Sequence, residues 1–197
     1  MPDHEDEAGT ETPPTEAPTP PAPPKRVGSL VLVNTGDGKG KTTAALGTAM
    51  RAIARGWKVA VVQFLKSPDW KVGEEAAGRQ LGMDWYVAGD GFTWDSEDLD
   101  ESTAIAVAAW GRARDLIEAG EHQLVVLDEA TYPLTWGWIP TDEVLEVLAN
   151  RPDAVNVIVT GRDAPEELLE LADTVTEMRK VRHAYDAGIM ARRGIDY

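Results

Sequence analysis

From Ser29 onward the hydrophobic positions fall into short runs separated by stretches of helical spacing. Residues 30–34 (Leu-Val-Leu-Val-Asn) are almost continuously apolar, the pattern of a strand buried on both faces. The same pattern recurs at 59–64, 123–128 and 155–160, with weaker strands expected at 84–88 and 174–178. Between them, helices are expected at 42–55, 74–81, 97–119, 141–150 and 165–172. In the first helix Ala45, Leu46, Ala49, Met50 and Ile53 share one face, and Gly56 is placed to end it. Asp163 is placed to cap the 165–172 helix, with Glu166 three residues on completing a capping box. Strands alternating with helices, each strand apolar throughout, imply an α/β domain with a mostly parallel sheet covered on both faces. No internal repeat is present.

Residues 1–26 break this pattern. They hold eight of the 13 prolines, six acids and almost no large apolar side chain. Such a segment cannot bury enough surface to offset its ordering entropy, so it is expected to be a disordered tail ahead of one folded domain at 27–197. Its six acids and two bases give −4, so −11 of the formal charge of −15 falls on the domain. An acidic body disfavours sequence-independent nucleic-acid binding. No run approaches the about 20 apolar residues that cross a bilayer, and the N-terminus has no basic and apolar leader, so the cytoplasm is expected. With no cysteine, disulfides, iron–sulfur clusters and thiolate metal sites are excluded, and any redox step falls to a partner. His4, His122 and His183 are too scattered for a His-rich zinc site.

Candidate chemistry concentrates at Asn34-Thr35-Gly36-Asp37-Gly38-Lys39-Gly40-Lys41-Thr42-Thr43, between a buried strand and a helix. In that context glycines let backbone amides wrap around phosphates, and the helix N-terminus adds a positive dipole end. Lys41 supplies a mobile charge and the Thr42 hydroxyl a ligand for Mg²⁺. The loop departs from a strict G-x-x-x-x-G-K-[ST], because Thr35 stands where the first glycine belongs and Gly36 and Gly38 provide the flexibility. A second signal is Leu124-Val125-Val126-Leu127-Asp128-Glu129, an apolar strand ending in two acids. It puts carboxylates at the carboxyl edge of the sheet, beside the loop, where one or both can hold the Mg²⁺ shell. Arg162, after another strand, is a phosphate contact or a surface salt bridge.

Nucleotide binding alone does not define a reaction. The segment Thr35-Gly36-Asp37-Gly38-Lys39-Gly40-Lys41-Thr42-Thr43-Ala44-Ala45 resembles the loop of the P-loop corrinoid adenosyltransferases. So do Val62-Gln63-Phe64-Leu65-Lys66, Gly91-Phe92-Thr93-Trp94, Leu127-Asp128-Glu129-Ala130-Thr131-Tyr132 and Thr160-Gly161-Arg162. The likeness continues through Leu171-Ala172-Asp173-Thr174-Val175-Thr176-Glu177-Met178, His183-Ala184-Tyr185-Asp186-Ala187-Gly188 and Gly194-Ile195-Asp196-Tyr197. These segments run in order from about residue 30 to the last, and a generic ATPase has no reason to carry them together.

The resemblance implies a three-layer, RecA-like P-loop NTPase fold with about six strands. It implies transfer of the 5′-deoxyadenosyl group of ATP to the Co(I) of a corrinoid, releasing triphosphate, in adenosylcobalamin biosynthesis or corrinoid salvage. ATP is implied to lie reversed relative to ordinary P-loop enzymes, presenting C5′ to the cobalt. Residues 36–43 and Arg162 would hold nucleotide, Lys41 would act in catalysis, and Thr42, Asp128 and Glu129 would bind Mg²⁺. Phe92 and Trp94 are implied to face the corrin and keep its lower axial position empty; the plainer reading is two core aromatics under a loop. A flavoprotein reductase and a homodimer are the implied partners. Trp136 and Trp138 are expected to be core residues in preference to a corrin or subunit surface, and His183 to be structural. Some family members carry a charged helical arm before the first strand, which the Pro-rich residues 1–26 cannot form intact. A small-molecule or nucleoside kinase on the same fold is the alternative; it would usually need an arginine-rich lid, and no arginine cluster stands between the strands.

Overall fold

The computed structural model describes residues 23, 25–65, 73–88 and 101–196 (Glu101 by its backbone alone). Phe92, Trp94 and most of the N-terminal tail lie outside the described residues, so the expectations for them are carried to the proposals below.

The elements alternate as the apolar runs require: β1 (Val31–Thr35), α1 (Lys41–Ile53), β2 (Val59–Gln63), α2 (Gly73–Gln80), β3 (Asp84–Val87) and α3 (Glu101–Ala119) form the first half. The second half is β4 (Leu124–Asp128), α4 (Thr131–Thr135), α5 (Thr141–Ala149), β5 (Asn156–Thr160), α6 (Glu166–Leu171), β6 (Thr174–Glu177) and a 3₁₀ turn, Ala184–Ala187. The six strands form one sheet in the order β3-β2-β4-β5-β1-β6, every pair parallel. This is the α/β, P-loop NTPase-like fold, with helices on both faces. β5 separates β1, which leads into the phosphate loop, from β4, which ends in Asp128.

The continuous apolar runs follow from the two covered faces. Val31, Val33, Ala60, Val62, Val125 and Leu127 point into a core shared with α3, α5 and α6. The intervening Val59, Val61, Leu124 and Val126 point into a second core under α1. Each fully buried valine or leucine stabilises the fold by about 1.5–3 kcal/mol relative to exposure. α1 lies close to the sheet because its buried stripe is Ala45, Ala49 and Ala52.

Two local expectations fail. Met50 is 56% exposed, not part of the buried face. At about 100° per residue it sits well round the helix from the alanine stripe, while Leu46 and Ile53 flank that stripe. Asp163 does not cap α6; the cap position is Pro165, with no side-chain hydrogen bond. Glu166 is the first helical residue, so Asp163 lies too far upstream for a capping box. Asp163 instead turns the chain at φ 49, and its carbonyl accepts a hydrogen bond from Thr135 Oγ1 at 2.8 Å. The short helix α4 was not expected from the sequence pattern.

Candidate active site

The loop between β1 and α1 is shaped by the neighbouring strand. Met178, just past β6, donates its amide to the Thr35 carbonyl at 2.8 Å and accepts the Gly38 amide at 2.6 Å. A Cβ on Gly36 or on Gly38 would lie 2.7 Å from the Met178 carbonyl oxygen. Gly36 also sits at φ 89, a conformation that side chains disfavour. The glycines are thus required by close backbone packing. Gly40, at φ 114, then launches α1, whose first amides have no intrahelical acceptor.

Lys41 curls back over this loop, donating from Nζ to the carbonyls of Gly36 (2.5 Å) and Gly38 (2.8 Å). Its pKa is lowered, first by burial and then by the Arg162 charge, against the opposing pull of Asp37, Glu129 and Asp163. Lysine and arginine therefore share one electrostatic site, and an anion placed there would relieve their mutual repulsion.

The two acids at the end of β4 have different environments. Asp128 is fully buried. Its Oδ1 accepts from the hydroxyls of Thr42 (2.7 Å) and Thr160 (2.8 Å), and its Oδ2 from Gln63 Nε2 (3.0 Å). Gln63 is fixed in turn by Trp85 Nε1 at 2.9 Å. A buried carboxylate with such partners is a buttress, and it orients the Thr42 hydroxyl. Glu129 is half-buried and lies in the left-handed region at φ 61, with its amide donating to Thr160 Oγ1 at 3.0 Å. A non-glycine residue held there stores strain of the kind that clusters at functional sites.

Residues 37–43 form one wall of a cleft of about 310 Å³, completed by Leu65, Glu74, Glu129, Tyr132, Arg162 and Asp196. The fold therefore brings Asp37, Gly38, Lys39, Gly40, Lys41, Thr42, Thr43, Glu129 and Arg162 to one place. Gly36 lies behind the wall, packed on Met178, and Asp128 lies beneath it. Arg162 makes no salt bridge among the described residues, and its carbonyl accepts from Thr131 Oγ1 at 2.5 Å.

Tyr132 and Asp196 are cleft residues that sequence reasoning did not single out. Burial raises the Tyr132 pKa, so its phenol stays protonated. Asp196 forms an ion pair with Lys39 and accepts the Arg192 amide at 2.8 Å. The hydrogen bond from Lys39, and then the one from Arg192, hold its carboxyl below the ordinary carboxylate range. The C-terminal segment thus returns to the phosphate loop. Its presence in the family-like motifs was the available signal, but only the pairing of β6 with β1 explains the approach.

The remaining candidates separate. His183 accepts the Tyr185 amide at Nδ1 (3.1 Å) and caps the 3₁₀ turn, a structural contact. Trp138 packs partly buried against the core, as expected. Trp136 does not: it is 51% exposed.

A model of the family described as ATP:corrinoid adenosyltransferase BtuR/CobO/CobP matches residues 28–197. The chain belongs to this family. It is 45% identical over 168 residues to the corrinoid adenosyltransferase of Escherichia coli (strain K12), covering 85% of each chain. It is 44% identical to the corrinoid adenosyltransferase CobA of Salmonella typhimurium (strain LT2), again over 168 residues and 85% of each. The corrinoid adenosyltransferase of Pseudomonas aeruginosa matches at 43% over 170 residues, 85% of this chain and 83% of the relative. The family match extends beyond the phosphate loop and takes in the C-terminal segment that reaches Lys39.

Proposed function

We propose that the protein transfers the 5′-deoxyadenosyl group of ATP to the cobalt of a corrinoid. The observation that carries this reading is the extent of the family match: it includes the phosphate loop, the acid-tipped strand and the returning C-terminus, which together wall one cleft. Co(I) supplies an electron pair to C5′ and becomes Co(III) as the Co–C bond forms. The C5′–O5′ bond breaks, and its electron pair leaves with the triphosphate. No water has to be activated, in contrast to hydrolysis, and no phosphorus is attacked, in contrast to a kinase.

Residues 37–43 cradle the triphosphate through loop amides and the dipole of α1, with Gly36 shaping the loop from behind. Lys41 leaves its two carbonyl partners for the phosphate oxygens, and with Arg162 it stabilises the charge that develops as triphosphate departs. Magnesium fits the donor set: the Thr42 hydroxyl, oriented by Asp128, and the Glu129 carboxylate are hard oxygen ligands. Among the described residues no group of three or more His, Cys, Asp or Glu is gathered for a metal, which suits an ion that keeps water and phosphate oxygens as ligands. When bound there, Mg²⁺ would supply further charge neutralisation to the triphosphate. Asp128 acts through the Thr42 hydroxyl or a bridging water. By resemblance to the family, Phe92 and Trp94 would serve to keep the lower axial position of cobalt empty, which would make Co(II) easier to reduce.

The reaction needs ATP and a strong electron donor, so we assign it to the cytoplasm with a flavoprotein reductase as the redox partner. Among the described residues no helix is long and apolar enough to cross a membrane. A homodimer fits the exposed apolar side chains of Val181, Tyr185, Ile189, Met190 and Ile195 along the C-terminal segment. The test of the reading is incubation with ATP, Mg²⁺ and chemically reduced cobalamin, followed by the absorption spectrum of the Co–C bond. Its appearance at enzymatic rates is expected; ADP with a phosphorylated acceptor would indicate the kinase instead.

A further inference from the structure

Beside the cleft stands a row of aromatic side chains. Tyr132 lines the nucleotide cleft, and its ring lies 5.5 Å from that of Trp136 at an interplanar angle of 41°. The Trp136 ring lies 4.7 Å from that of Trp138, tilted by 58°. Three rings in contact therefore run from the cleft wall, across the surface, to the core that receives Trp138. Another exposed tryptophan of the described residues, Trp57, follows α1 at the amino end of the sheet, away from the chemistry.

This row is rigid. The Trp136 amide donates to the Tyr132 carbonyl at 2.9 Å, and the Gly137 amide to the Leu134 carbonyl at 3.0 Å. The Trp138 and Ile139 amides both donate to the Pro133 carbonyl, at 2.9 and 3.2 Å. Gly137, at φ 70, makes the turn that lets Trp136 and Trp138 meet. Ile139, almost fully buried, anchors the far end. A half-exposed tryptophan flanked by two rings on such a backbone, at the rim of a site, offers a contact surface.

We infer that Tyr132 and Trp136 form a ledge on which the macrocycle of the corrinoid rests while its cobalt faces the nucleotide cleft. The inference depends on the proposed adenosyl transfer for the identity of the second substrate. Direct transfer requires that substrate to adjoin the cleft holding ATP, and the ledge adjoins it through Tyr132. Ring geometry favours a corrin over the adenine of ATP. The rings touch one another in a tilted row, so they leave no slot between them for a purine, and the exposed face of Trp136 adds apolar surface beside the cleft against which a large puckered ring can lie. Tyr132 and Trp136 thus act as binding residues for the corrinoid.

The test is equilibrium dialysis of cob(II)alamin against the full-length protein and its Trp136→Ala and Trp136→Phe variants, with ATP affinity, thermal midpoint and molecular mass measured alongside. The expected result is a loss of corrinoid affinity of about tenfold in Trp136→Ala, the scale of one aromatic contact. Trp136→Phe should recover most of it, ATP affinity and mass should not move, and the midpoint should fall by no more than about 5 °C. Unchanged corrinoid affinity would overturn the ledge. So would a loss confined to ATP, which would make it an adenine contact, or a change of mass, which would make it a subunit contact. Because dialysis reads binding without turnover, the ledge stands or falls separately from the reaction. If the wild-type protein binds cob(II)alamin and Trp136→Ala does not, yet neither forms a Co–C bond, the ledge holds and the proposed transfer fails.

Discussion

The two sides of the cleft are built from different materials. The phosphate-loop side is built mainly from backbone: loop amides, a helix N-terminus, and glycines forced by the approach of Met178. A buried carboxylate with three side-chain donors stands beneath them. On the side where we infer that the corrinoid rests, the surface is aromatic, with Trp136 51% exposed. Backbone amides suit a small, highly charged group that every turnover must hold in one geometry. Aromatic surface suits a large ring with little charge. The comparison teaches that damage on the phosphate side should reach the chemistry and the fold, whereas damage on the corrinoid side should be confined to binding.

The sharpest break of that contrast is Lys41→Ala. Loss of one preorganised charge against the leaving triphosphate should lower turnover by about a hundredfold or more and weaken ATP binding as well. Near-normal steady-state kinetics would remove Lys41 from the mechanism. The lowered pKa of Lys41 adds a pH signature. In the free enzyme its positive charge is lost at lower pH than for an ordinary lysine, so kcat/KM for ATP should start to fall below the usual lysine range. The Lys41→Ala variant should lack that limb.

Next in size is Asp128→Ala. It strands the hydroxyls of Thr42 and Thr160 and the amide of Gln63 in the interior. The expected cost is about 2–4 kcal/mol, read by calorimetry as a fall in melting temperature of about 5–15 °C. An unchanged melting temperature would mean that Asp128 is a metal ligand and not a buttress.

A smaller effect is expected for Asp196→Asn, which removes the ion pair closing the C-terminal segment onto Lys39. An exposed pair of this kind should change the KM for ATP by no more than about fivefold, upward, and less at high salt. Its carboxyl titrates below the ordinary range. The anchor is therefore fully present above the usual carboxylate pKa and is lost only as pH falls through the lowered value. The gap between wild type and variant should persist through mildly acidic pH and close below it. The smallest expected effect is none: a chain starting at Lys25 should keep its melting temperature and nearly all its activity. A drop of many degrees would make the N-terminal segment an ordered part of the enzyme.

Legibility in the sequence followed locality. The phosphate loop is contiguous, so Gly38, Lys41 and Thr42 could be assigned from one decapeptide. The strands were legible because burial on both faces leaves no polar alternation. Within the site, the roles that could not be read depended on contacts between distant segments; the misplacements of Met50, Asp163 and Trp136 were local, set by helix phase and tight turns. Asp128 and Glu129 look equivalent as neighbours at a strand end. Only Gln63 and Thr160, from the strands on either side, show one to be buttress and the other to face the cleft. Asp196 reaches the loop because β6 lies beside β1. Trp136 was expected in the core on composition, since tryptophans usually are; the turn at Gly137 puts it outside.

Which bond of ATP breaks separates alkyl transfer from phosphoryl transfer, and labelled ATP reads it. With ¹⁸O in the bridge between C5′ and the α-phosphorus, attack by cobalt at C5′ sends the label out with the triphosphate. One labelled, intact triphosphate is expected for each Co–C bond formed. Label retained on the nucleoside or in ADP would mean attack at phosphorus and would contradict alkyl transfer.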